Sequence, residues 1–287
     1  MRAPLEQIPR NHRREARRRL AALLASGGPF DLAEAAFWVA AEEYPSLDVN
    51  HGLERIRLIA AEGARLVYDL SNPFARLDGI ATYLFQEMGF RGNEDEYNDP
   101  RNSFLNEVLD RRLGIPLTLA VLLMEVARAA GFEARGVGLP GHFISRLTFE
   151  GRTILVDAYH GGRVVTEEDC LDLVKRTTGR PSLYRRDLLQ GVDERGTLAR
   201  MLLNLKHLYL KREDYGRALS MVERLLLIAP NDSSEIRDRG FLNAHLGRPG
   251  AAVADLECYL TIAPDAPDVD SVRGRVLWLR QRLSEMN

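Results

Sequence analysis

Cysteine is almost absent from this chain. Its 287 residues hold two, Cys170 and Cys258. They are far apart and have no neighbours at metal-ligand spacing. That excludes a disulfide framework and fits a reducing, cytoplasmic setting. Long apolar runs are lacking too. None reaches the ~20 residues that a membrane-spanning helix needs, so no membrane partner is expected. The first residues carry charge but no apolar h-region, so no secretory signal is expected. Charge of one sign is also missing: the net charge is −2, which gives no overall field for nucleic acid or an anionic surface. One basic cluster stands out, Arg10, Arg13, Arg14, Arg17, Arg18 and Arg19. It has no interleaved aromatics, so it reads as the solvated face of a surface helix, and a nucleic-acid partner is not expected.

What is present is globular: 45% hydrophobic and 28% charged residues, in a chain long enough for two domains. The centre is Gly114 to Tyr159. Pro116 suits the first turn of a helix, where a missing N–H costs nothing. Leu119, Leu122, Leu123, Val126 and Ala130 recur at the spacing of one helix face, and Gly131 can end that helix. Three strand-like runs follow, Glu133 to Leu139, His142 to Phe149 and Thr153 to Tyr159. Glu150-Gly151 is a tight hairpin signal. A two-residue turn there pairs Phe149 with Arg152 and, counting outward, brings His142 opposite Tyr159. His142 and Asp157 are then diagonal neighbours on one sheet face, within reach of a hydrogen bond.

A His and an Asp on neighbouring strands behind a helix start is the arrangement of nucleophilic acyl-transfer sites. The helix dipole stabilises an anionic nucleophile, the His takes its proton and the Asp fixes the His tautomer. The chain resembles the transglutaminase-like core, and more closely the bacterial SirB-type family, which joins such a core to C-terminal tetratricopeptide repeats. The matching residues are Asp99 to Asn106 (DPRNSFLN), Arg111 to Pro116 (RRLGIP), Gly138 to Phe143 (GLPGHF) and Val156-Asp157-Ala158. The resemblance implies an α+β fold: a helical N-terminal region, a papain-like helix and antiparallel sheet, and helical repeats. It also shows a departure. Aligning Ala120 and Gly131 to the active pattern puts Pro116 where the catalytic Cys belongs. Thr118 is the nearest hydroxyl, and a Thr in a first helical turn usually caps backbone groups.

The flanking sequence builds the rest. Residues 1–28 read as a loose opening and a basic segment, 29–190 as the transglutaminase-like domain with a helical cover, and 191–287 as the repeat region. Helices are expected from Leu32 to about Glu43 behind Asp31, from His51 to about Leu70, from Asn72 or Pro73 to Gly89, and from Asn102 to Arg112. Phe37 and Trp38 read as core. Gly92 to Asn102 (GNEDEYNDPRN) reads as a loop near His142. Its carboxylates lack the order of a calcium-binding loop, so no metal and no cofactor are expected. Thr166 with the acids that follow it is a helix start, and Cys170 in that helix reads as a buried thiol. Residues 218–232 match 252–266 at an offset of 34 residues, pairing Ala218 with Ala252 and Pro230 with Pro264. This is the tetratricopeptide period.

The sequence thus points to a degenerate, non-enzymatic transglutaminase-like protein that binds a protein or peptide partner through a cleft and through its repeats. His142, Asp157 and Thr118 are the candidate catalytic residues, and Asn102, Asn106, Pro116, Gly141 and Tyr159 the candidate binding residues. The alternative is a hydrolase or acyltransferase that uses His142 and Asp157 with a non-cysteine nucleophile.

Overall fold

The computed structural model describes residues 9–25 and 27–286. The loose N-terminal opening expected from sequence lies outside these, on residues 1–8. Two compact units divide the chain, Met1–Met201 and Leu202–Asn287.

The first unit opens with α1 (Arg10–Ala25), α2 (Leu32–Ala41), α3 (Val49–Leu66) and α4 (Pro73–Ala81). Each start of α2, α3 and α4 has a side-chain cap: Asp31 Oδ1 accepts the Glu34 N–H, Asp48 the His51 N–H, and Asn72 the Phe74 N–H. Such caps satisfy donors that the helix cannot. The basic helix α1 is not solvated all round. Ala16, Leu20 and Leu24 are buried, and Arg17 pairs with the buried Glu42 at 2.6 Å. The expected third helix does not run unbroken to Gly89. After Ala81 it widens into a π-helical turn over Thr82–Glu87. Nor does a single helix cover Asn102 to Arg112. Pro100–Ser103 is a 3₁₀ turn, Phe104 is extended, and α5 is Leu105–Arg111. Asp99 caps the 3₁₀ turn by accepting the Arg101 N–H at 2.9 Å, and proline at its first position suits a start rather than a continuation.

The core helix α6 (Pro116–Ala129) is buried almost all round, as expected of an apolar helix with no solvent face. It packs against β3 (Glu133–Leu139) and β4 (His142–Phe149). With β5 (Arg152–Asp157) and β6 (Arg163–Val165) these form an antiparallel sheet in the order β3-β4-β5-β6. Strand β6 and a short parallel pair, β1 (Arg91–Gly92) with β2 (Leu113–Gly114), were not anticipated. The β4–β5 turn has positive φ at both Glu150 and Gly151, the requirement of the tight turn whose twist matches paired strands. It sets the register: Phe149 pairs with Arg152 and Ser145 with Val156. Helix α7 (Glu167–Thr178) starts in a capping box of Thr166 and Asp169. Its Cys170, Leu173 and Val174 pack with Val137, Leu139, Ile144 and Val165 of the sheet.

Helix α8 (Glu194–Lys211) contains the boundary between the units. It begins at Glu194, where Asp193 caps it by accepting the Gly196 N–H at 2.8 Å. The second unit continues with α9 (Tyr215–Ile228), α10 (Ser233–His245), α11 (Pro249–Ile262) and α12 (Val269–Met286). Helices α9 and α11 share length and spacing at the 34-residue period. Their Ala218 and Ala252 are both fully buried, the small-residue contacts that let repeat helices approach. A charge is buried here as well. Lys206 Nζ lies 2.7 Å from both Glu235 oxygens and 2.6 Å from Asp238 Oδ2. Replacing Lys206 with Ala leaves Glu235 buried without its partner. Denaturant unfolding followed by helical circular dichroism is expected to show a loss of about 3 kcal/mol or more.

Candidate functional site

The hairpin register delivers the central pair. His142 sits at the start of β4 opposite Leu139 of β3, and Asp157 ends β5. His142 Nε2 lies 2.9 Å from Asp157 Oδ2. The Asp157 carboxylate is 1% exposed, and a charge so buried needs partners. It has them on both oxygens. Oδ1 accepts the backbone N–H of Tyr159 at 3.0 Å and that of His160 at 3.4 Å. Oδ2 faces a second imidazole, His160 Nδ1, at 2.7 Å. Burial alone would raise this carboxyl, yet hydrogen bonds from His142 and then His160 hold it below the ordinary value.

His160 escaped the sequence reading. The readable signal was its place three residues after Asp157, just before Gly161-Gly162. There the chain turns back, with Gly162 N–H donating to Asp157 O at 2.9 Å. That turn folds the imidazole onto the carboxylate that begins it. The ligand-capable atoms of His142, Asp157 and His160 all lie within 4.8 Å of one another. The His142 side chain is 5% exposed and that of His160 is 49% exposed, so the group opens to solvent at His160.

Aromatic rings extend the site. Tyr159 meets His142 edge-on at 6.1 Å and Tyr97 at the same centroid distance. Its ring covers Gly92, where an added Cβ would stand 2.5 Å from a ring carbon. Glycine at that point allows the ring to seat on β1. Burial, then Tyr97, Glu94 and Asp157, push the Tyr159 phenol up to about 12. It is therefore a donor at neutral pH. Gly141 has φ +76° at the β3–β4 turn and packs on Thr177 of α7. Arg200 Nη2 donates at 3.2 Å to the carbonyl oxygen of Leu139, the strand partner of His142. The acidic loop is partly neutralised, since Asp99 pairs with Arg101 at 2.6 Å and with Arg111 at 3.6 Å. Glu94 and Asp95 are exposed.

The remaining candidates belong to the start of α6. Pro116 is buried at its first position. The Thr118 hydroxyl donates to Asn102 O at 2.8 Å and accepts the Ile115 N–H at 3.1 Å. It is fully buried and forms no hydrogen bond with His142 or Asp157. Asn102 ties the loop to this helix start: its Nδ2 donates to Glu96 O at 2.8 Å, and its Oδ1 accepts from Asn93 and Arg111. Asn106 lies half-buried on α5, with its Oδ1 buried and without a partner among the described residues. Cys170 is fully buried. Burial pushes its thiol up to about 11, and the carboxylates of Asp169, Asp157 and Glu167 act in the same direction. A nucleophilic thiol needs the opposite environment.

A buried helix that starts at a proline, a His–Asp pair on adjoining strands and helix pairs at a 34-residue period define a class: a transglutaminase-like core with tetratricopeptide helices. Comparison with known proteins agrees. Residues 50–203 match the transglutaminase-like superfamily and residues 205–276 the tetratricopeptide repeat. A UPF0162 protein of Xylella fastidiosa is 36% identical over 249 residues, covering 86% of this chain and 89% of that protein. A UPF0162 protein of Vibrio cholerae is 30% identical, over 78% and 83%. Protein SirB1 of Salmonella typhimurium is 25% identical, over 82% and 86%. The chain belongs to this UPF0162 and SirB1 family of the transglutaminase-like superfamily. No solved structure matches it. Among the described residues, no helix is long and apolar enough to cross a membrane.

Two outcomes follow from this chemistry. In the native protein at neutral pH, a thiol-alkylating reagent followed by mass spectrometry is expected to label the exposed Cys258 and to spare Cys170. The second concerns acid. Because the folded-state Asp157 carboxyl lies below its ordinary value, its ionised form favours folding. That contribution is complete above the unfolded value of about 3.9 and is lost as pH falls through the folded value. Asp157→Asn should lower stability at neutral pH and flatten the loss on acidification below pH ~4, read by denaturant melts across pH.

Proposed function

We propose that this protein has a transglutaminase-like core without covalent catalysis, and that it holds a protein or peptide segment through that core and its tetratricopeptide helices. The start of α6 carries the reading. Covalent acyl transfer on this fold needs a nucleophile there whose proton His142 can take. Pro116 has none to give, and the Thr118 oxygen is committed to backbone groups. Cys170 is buried as a neutral thiol. What stays accessible is a polar edge: the half-exposed His160 ring above Asp157, the Tyr159 phenol, the Gly141 turn and the carboxylates of Glu94 and Asp95. Such an edge offers donors to a peptide backbone and negative charge to a basic side chain. Tetratricopeptide helices commonly present a surface to extended segments, which supports the same reading. The acidic edge argues for a basic peptide rather than nucleic acid.

One observation favours a second reading. The His142–Asp157 pair is intact at 2.9 Å, the geometry that positions an imidazole as a general base. A hydrolase that uses this pair with a non-cysteine nucleophile would need it.

A His142→Ala variant separates the two. It is assayed beside the parent for turnover of amide and ester acyl donors, and for binding of a labelled library of Lys- and Arg-rich peptides. The expected result is no turnover above background in either protein and at least about tenfold weaker peptide binding in the variant, about 1.4 kcal/mol. Turnover by the parent that vanishes in the variant would overturn the binding reading.

A further inference from the structure

The group around Asp157 has a chemistry that neither acyl transfer nor peptide binding uses. Two imidazole nitrogens converge on one carboxylate oxygen. His142 Nε2 lies 2.9 Å from Asp157 Oδ2 and His160 Nδ1 lies 2.7 Å from it. The other oxygen is already held by the backbone N–H groups of Tyr159 and His160. Oδ2 is therefore free of main-chain donors and is flanked by the two imidazole nitrogens. All three lie within 4.8 Å of one another.

We propose that His142, Asp157 and His160 form a binding site for a divalent transition-metal ion, of which zinc fits best. Several independent features of the group support this. The donor set is two imidazoles and one carboxylate, which suits zinc and its neighbours rather than magnesium or calcium, whose ligands are oxygens. The spacing is close to that of ligands on one ion. Bonds of about 2.1 Å to a shared metal place neighbouring ligand atoms roughly 3.0–3.4 Å apart; the two nitrogen–oxygen distances are a few tenths of an ångström short of this, and the two imidazoles, within 4.8 Å of each other, close on the ion by side-chain rotation. The carboxylate is pre-oriented, because its Oδ1 is fixed by main-chain donors, the support that metal-binding carboxylates normally have. The ion also has a way in. His142 and Asp157 are buried, but the His160 side chain is 49% exposed. Finally, the exposed Glu94 and Asp95 stand on the loop beside Tyr159, and negative charge at an entrance concentrates cations.

Three protein ligands leave at least one coordination position for water or for a ligand carboxylate. The site is then more than a structural clip. It gives the core an electrophilic centre where the family fold otherwise relies on a nucleophile. The inference does not depend on the peptide-binding reading, because metal uptake is measured on the isolated protein without any partner.

The full-length protein is stripped with a chelator and titrated with zinc against a chromophoric competitor, and separately with cobalt followed by visible absorption. Expected are one equivalent of zinc per chain and a cobalt spectrum of a low-coordinate nitrogen and oxygen site. His160→Ala is the primary variant, since an exposed imidazole can be removed with little risk to folding. It should fold with the parent's metal-free circular dichroism and a somewhat lower melting temperature, bind zinc at least about tenfold more weakly and lose the cobalt bands. Asp157→Asn, which also lowers stability, should stay folded at room temperature, bind zinc more weakly and lose the cobalt bands. His51→Ala and Cys258→Ser, which remove exposed zinc-capable groups elsewhere, should change nothing. Equal zinc affinity in the parent and in folded His160→Ala, or no zinc uptake by the parent against the competitor, would overturn the proposal. So would loss of uptake in His51→Ala or Cys258→Ser, which would put the ion elsewhere.

Discussion

The first unit turns on one buried carboxylate. Removing Asp157 from water without partners would be costly, and the ionised form survives only because four donors surround it. Those donors come from different levels of structure. Two are backbone N–H groups of the turn that Asp157 itself begins. One is His142, brought across by strand pairing, and one is His160, returned by the Gly161-Gly162 turn. The β4–β5 register is therefore more than a packing choice. A slip of one residue would move Asp157 to the other face of the sheet and leave the charge unmatched. The left-handed Glu150 and Gly151 at the hairpin tip guard against that slip.

One hydroxyl ties the core helix to the loop before it. At the start of α6, Thr118 closes a small network that joins Ile115, Asn102 and, through the Asn102 amide, the 93–97 loop. This network satisfies a backbone donor at a helix start, one of the obligatory tasks of any helix end. A hydroxyl engaged in that way cannot also surrender a proton to His142. The His142–Asp157 pair is intact at 2.9 Å, while the Thr118 hydroxyl serves the helix start.

The second unit shows the same use of buried charge. Lys206 on α8 reaches Glu235 and Asp238 on α10, where an apolar contact would have been simpler. Burial of such a pair gives little net stability against an apolar replacement of the same shape. It does penalise any register of the two helices that separates the charges. Repeat helices share similar apolar faces and are open to misalignment, so a buried pair that tolerates one register is useful there.

Local chemistry made much of this protein legible. Asp31, Asn72 and Thr166 announce their helices, Glu150-Gly151 announces its hairpin, and the 34-residue recurrence announces the repeats. Each is a short-range preference written within a few residues, or a period that survives without knowledge of neighbours. The pairing of His142 with Asp157 follows from counting outward from a turn. Other features were beyond that reach. The break at Phe104 and the widened turn after Ala81 reflect competition between local signals that sequence alone does not weigh. His160 gives no periodic signal, because it acts from a turn rather than an element. Its role, the commitment of Thr118 to Asn102 and the burial of Lys206 against Glu235 were decided by tertiary structure. Each depends on groups 3 to 29 residues apart being desolvated together, and the cost of leaving a polar group unpaired arises only once water has been excluded.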